Sequence, residues 1–70
     1  MTVYEFVENL FNEYRDNPKF MNIEIAKYDL KNFKRDGWDL PKNITPMNYM
    51  KAWNQLVKKQ KDVIKEHELN

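Results

Sequence analysis

Thr2-Val3-Tyr4-Glu5-Phe6-Val7-Glu8-Asn9-Leu10-Phe11-Asn12-Glu13-Tyr14-Arg15-Asp16 is the stretch that decides the fold. Within it Val3, Phe6, Val7, Leu10, Phe11 and Tyr14 recur at steps of three and four. At about 100° per residue these positions gather into one apolar stripe. Glu5, Glu8, Glu13 and Asp16 fall away from the stripe. Thr2 and Glu5 have the spacing of a capping box, in which side chains satisfy two free backbone N–H groups at a helix start. The pattern predicts a helix over about residues 3–16.

Outward from this segment, Asn17-Pro18 breaks the chain, and a second break runs from Gly37 to Pro46. Between them the spacing predicts a helix over about 22–35. Asn22 is its N-cap, and Glu24 suits the positive helix start. Lys34 and Arg35 fill the last turn, and Gly37 stands where a left-handed C-terminal cap is expected. Ile23, Ala26, Leu30 and Phe33 form its narrower apolar stripe. A third helix over about 46–66 opens with Thr45 as cap and Pro46 at the first helical position. Tyr49, Met50, Trp53, Leu56, Val57, Val63 and Ile64 share one face, and Lys51, Lys58, Lys61 and Lys65 share the opposite one. Trp38 and Leu40 alternate with polar residues, as either an apolar plug over the bundle end or a short extra helical turn near 38–42. The expected fold is all-α: a small bundle of three main helices in a single domain over 1–70.

Length and composition agree with that frame. A 70-residue chain has room for one domain, which at this size buries only about 60% of its unfolded surface. With no Cys and one His, neither a disulfide nor a Cys/His zinc site is available, so stability must come from packed side chains. Hydrophobic residues make up 41% and charged residues 33%, a globular rather than a disordered balance. No stretch approaches the roughly 20 apolar residues of a membrane span. Met1-Thr2-Val3-Tyr4-Glu5 lacks the basic-then-apolar pattern of a signal peptide, and absent cysteine fits a reducing cytoplasm. The expected location is cytoplasmic. Lys and Asn supply 19 residues while Ala and Gly supply three, a bias of AT-rich coding sequence such as that of a low-GC bacterium or its phage.

No catalytic motif is present. One glycine cannot build a phosphate-binding loop. The single His67 lies between Glu66 and Glu68, and neighbouring residues on a helix point in different directions. It reads as a solvated histidine rather than a metal ligand. No catalytic, metal or cofactor residue is assigned, and no cofactor is expected.

Charge and exposed apolar surface are more informative. Residues 2–17 carry a net −3 and residues 46–66 a net +3. Opposite-signed faces steer two copies, or a partner, into contact; the plain alternative is two solvated faces. At 1.5 Å per residue the first helix spans about 21 Å and the third about 31 Å, so an overhang of about 10 Å follows if the two pack side by side. Val63 and Ile64 lie on it, with Leu69 beyond: exposed they form an association site, folded back they belong to the core, and the plain alternative is a frayed end. Trp38, beside a helix end, is a further candidate for partner binding, whereas Trp53 in mid-stripe reads as core. Lys27, Lys31, Lys34 and Arg35 make a basic face on the second helix, with Tyr28 at its margin. With Lys58 these are the nucleic-acid candidates, because each neutralised phosphate releases counterions. Glu24, Asp29 and Asp36 dilute that face. The 37–45 connection is too long for a helix-turn-helix.

Val3-Tyr4-Glu5-Phe6-Val7, Arg15-Asp16-Asn17-Pro18, Ile25-Ala26, Asp36-Gly37-Trp38, Leu40-Pro41-Lys42 and Asn48-Tyr49, with Trp53 and Leu56, resemble the YozE family. These are small bacterial proteins with a bundle similar to a sterile alpha motif domain. The resemblance covers scattered positions over 3–56. It implies four or so short helices and a binding role, with nucleic acid suggested for the family and no enzymatic activity. It carries over no functional residue. The expected function is a small non-enzymatic helical module that binds a protein partner and self-associates as a homodimer through its third helix, as a regulator or inhibitor of a host protein. Nucleic-acid binding is the alternative.

Overall fold

The computed structural model describes the backbone of residues 1–69 and the side chains of residues 1–65. Three helices appear, α1 (Val3–Glu13), α2 (Ile23–Arg35) and α3 (Pro46–Leu69), so the fold is all-α as the apolar periodicity predicts.

The helix starts follow the sequence closely. The Thr2 hydroxyl oxygen accepts the Glu5 N–H at 3.1 Å. The Glu5 carboxylate accepts the Thr2 hydroxyl proton, also at 3.1 Å, in place of the Thr2 backbone N–H that a full capping box would engage. Asn22 Oδ1 accepts the Ile25 N–H at 3.0 Å, and Thr45 Oγ1 accepts the Asn48 N–H at 3.1 Å with Pro46 just inside the helix.

The helix ends follow it less well. α1 stops at Glu13, three residues before the expected Asp16. Tyr14 N–H turns back to the Phe11 carbonyl, and Asn17 N–H to the Tyr14 carbonyl, both at 3.0 Å. The chain must leave α1 here to cross α3. Gln60 Nε2 donates to the Arg15 carbonyl, and Trp53 Nε1 donates to the Lys19 carbonyl at 3.0 Å. α3 in turn runs to Leu69 rather than to residue 66. α2 ends as expected. Gly37 sits at φ +79, Trp38 N–H reaches the Phe33 carbonyl at 3.0 Å, and Gly37 N–H reaches the Lys34 carbonyl at 3.3 Å. That pair of bonds is a Schellman motif. Its usual apolar clasp is present, with the Trp38 ring stacked on Phe33 at 4.4 Å between centroids.

The extra helical turn expected near 38–42 does not form. Gly37 has already turned the chain left-handed, and Pro41 has no N–H to donate. A single turn closes instead from Ile44 N–H to the Pro41 carbonyl at 3.3 Å. Trp38 and Leu40 adopt the other expected role and plug the bundle end. Trp38 meets Phe6 edge-on at 6.3 Å, and Leu40 and Ile44 pack on the core. The four or so helices that the family resemblance implies are therefore three among the described residues.

α3 is the shared wall: α1 and α2 each pack along it. α1 runs parallel to α3. Val3 lies by residues 39–43, which lead into α3, and Arg15 lies at Gln60. α2 runs antiparallel, with the Met21 carbonyl at Asn54 and Asp29 at Tyr49. Phe6, Val7, Leu10 and Phe11 of α1 meet Ala26 and Leu30 of α2 and Tyr49, Ala52, Trp53 and Leu56 of α3 in one core, with Met21 between α1 and α2. Burying each large apolar side chain stabilises the fold by about 1.5–3 kcal/mol. The extents, 45 × 24 × 18 Å, are long for so small a chain because α3 outruns both partners.

Candidate interaction surfaces

Three regions carry exposed or polar features beyond what the core requires. The first is the far half of α3. Once α1 has ended and the Arg15 carbonyl is fixed at Gln60, no further element accompanies the helix among the described side chains. Val63 is 45% exposed and Ile64 is 49% exposed. Both lie on the expected apolar face, but neither joins the core. Val63 also closes a groove of about 240 Å³ between α1 and α3, with Phe11 and Leu56 as apolar walls and Glu8, Arg15 and Lys59 at the rim. The side chains of His67 and Leu69, considered as a metal ligand and as part of the overhang, lie outside the described residues.

Among the described residues the opposite charges of α1 and α3 form no direct ion pair. The two ion pairs among the described residues are Lys19–Asp29 and Arg35–Asp36, and neither joins α1 to α3. Glu5, Glu13 and Asp16 on the acidic side and Lys51, Lys58, Lys59, Lys61 and Lys65 on the basic side are exposed, while Glu8 is half-buried.

The second region is the basic face of α2. Lys27, Lys31, Lys34 and Arg35 are all exposed, as is Tyr28. Arg35 Nε is 3.3 Å from Asp36 and is thereby partly compensated. Lys58 lies far from the Lys31–Lys34 end of this face. Lys31 and Lys34 line a hollow with Pro46, and Lys58 stands twelve residues, or about 18 Å, farther along α3. Trp38 is 44% exposed, as its place in the loop suggests, but its ring is clasped between Phe33 and Phe6.

The third region is a polar cluster that the sequence pattern does not reveal. Asp29 reads from sequence as a diluting charge on the α2 face. It instead turns to α3, where its carboxylate accepts the Tyr49 hydroxyl at 3.0 Å and pairs with Lys19 Nζ. The same ammonium lies 5.4 Å from the Trp53 ring centroid, a cation–π contact. Tyr49 is 1% exposed. Burial above all, then the adjacent Asp29 charge and its hydrogen bond, pushes the phenol well above the ordinary tyrosine range. A phenol that holds its proton so firmly is no base at neutral pH. The cluster ties the 14–22 connection to α2 and α3.

Among the described residues no group of three or more His, Cys, Asp or Glu side chains converges to hold a metal ion, and no helix is long and apolar enough to cross a membrane. Compared with family models, curated proteins and solved structures, the chain matches none.

Proposed function

We propose that the protein is a small, non-enzymatic helical interaction module that binds a protein partner and self-associates through α3, acting as a regulator or inhibitor in the cytoplasm of a bacterium or its phage. The observation that carries this reading is the half-exposure of Val63 and Ile64 on a helix that continues past its packing partners. Apolar side chains held side by side on a rigid rod lose water-exposed area when a second rod lies against them, at about 25 cal/mol per Å². The oppositely charged α1 and α3 faces give two copies a preferred approach. The YozE-like residue pattern supports a binding role without enzymatic activity.

Sedimentation velocity at several protein concentrations tests the reading. A dimer should grow with concentration and be dissolved by Val63→Asp or Ile64→Asp. Both sites are exposed, so the monomer fold should survive, as its helical circular dichroism would report. A chain that stays monomeric throughout would refute self-association.

Nucleic-acid binding is the second reading, favoured by the exposed Lys27, Lys31, Lys34 and Arg35. It is weakened by the Arg35–Asp36 pair and by the distance of Lys58 from Lys31 and Lys34. Gel-shift titration with DNA and RNA at low salt would sustain it if complexes form and dissolve steeply as salt rises.

A further inference from the structure

The end of the bundle opposite the α3 overhang holds a second hollow, of about 510 Å³, between the last turns of α2, the 40–44 loop and the start of α3. Its floor is aliphatic: Leu30, Leu40, Pro41, Ile44 and Pro46. Its rim is Lys31, Lys34 and Lys42. No acidic residue lines it, and none of these lysines has a carboxylate within ion-pair distance among the described residues.

We propose that this groove binds an acidic peptide segment of a partner protein that carries an aliphatic anchor residue. Three uncompensated positive charges around one hollow repel cationic ligands and draw in carboxylates. The floor then decides between anionic classes. Nucleic acid offers phosphates and aromatic bases, and base recognition uses aromatic platforms or hydrogen-bond donors. Here no aromatic side chain lines the floor, and Pro41 and Pro46 remove backbone N–H donors from its walls. A Leu or Ile side chain fits such a surface, and flanking Glu or Asp reaches the lysines. The inference shares with the function proposed above only its class, protein recognition. The groove is separate from Val63 and Ile64, so either can fail without the other.

The test is fluorescence anisotropy of the full chain with four labelled probes in low-salt buffer. These are a Glu-rich peptide with two central leucines, the same peptide with alanines in their place, a Lys-rich version keeping the leucines, and a single-stranded oligothymidine. The acidic leucine peptide should bind best, with loss of the leucines or reversal of the flanking charge each weakening it about tenfold or more. Lys31→Gln with Lys34→Gln should weaken it by about tenfold while helical circular dichroism and the sedimentation behaviour stay unchanged. Tighter binding of the oligothymidine would overturn the proposal in favour of nucleic acid. Equal binding of the leucine and alanine peptides, unchanged affinity in the double variant, or no peptide binding up to millimolar concentration would each overturn it outright.

Discussion

Among the described residues Gly37 is the one with a positive φ, and nothing approaches the place where a Cβ would stand. Gly37→Ala therefore meets no clash, and its cost is backbone strain alone. Destabilisation of about 1–2 kcal/mol is expected in chemical denaturation. Tyr49 makes a different prediction. Its phenol is held neutral in the fold by burial first and by Asp29 second. The folded pKa is raised, so this contribution is fully present below the unfolded value near 10 and is lost as pH rises beyond it. The unfolded chain sheds a proton that the folded chain keeps, so stability should fall by about 1.4 kcal/mol per pH unit above about pH 10. Tyr49→Phe should flatten that slope when denaturation is compared from pH 9 to 11; an identical slope in both proteins would contradict the assignment. At this scale the two tryptophans were legible and the Asp29 cluster was not. Trp53 in mid-stripe and Trp38 beside a helix end sit as their positions suggest, buried and half-exposed. Asp29 looked like any solvent-facing acid, because its partners Lys19 and Tyr49 lie ten and twenty residues away.

Local chemistry set the helix starts, and long-range contacts set the end of α1. Thr2, Asn22 and Thr45 cap through their own side chains within three residues, a signal that sequence carries directly. Thr45→Ala should cost about 1 kcal/mol, read as a lower denaturation midpoint with unchanged helical signal. The end of α1 is fixed by Gln60 and Trp53, 45 and 34 residues from the carbonyls they hold. No window around Tyr14 contains that information. Met21 is buried outside any helix for the same reason, since the connector delivers it into the core between α1 and α2. Trp53→Phe tests this link. It keeps an aromatic ring against Phe11, 5.5 Å away, but leaves the Lys19 carbonyl without its donor. The expected loss is about 2 kcal/mol of stability, with faster proteolysis within residues 14–22. Unchanged cleavage of that segment would show that something else secures it.

Over the whole molecule, α3 does two jobs along its length. Its first half is the wall on which α1 and α2 pack, and its second half extends beyond them with Val63 and Ile64 half-exposed. Unequal helix lengths were readable from the periodicity, and so was the overhang. The groove between α1 and α3 was not, because it depends on α1 running parallel to α3, an arrangement that spacing along the chain does not encode. The proposed pairing of two copies makes the far half of α3 the most concentration-sensitive part of the protein. Residue-resolved amide hydrogen exchange, followed from dilute to concentrated solution, addresses that directly. The account predicts that residues 49–56 are well protected at every concentration. Residues 60–65 should exchange quickly when dilute and slow about tenfold or more on concentration, as burial against a second copy suppresses local opening. Exchange at residues 60–65 that stays the same from dilute to concentrated solution would contradict it.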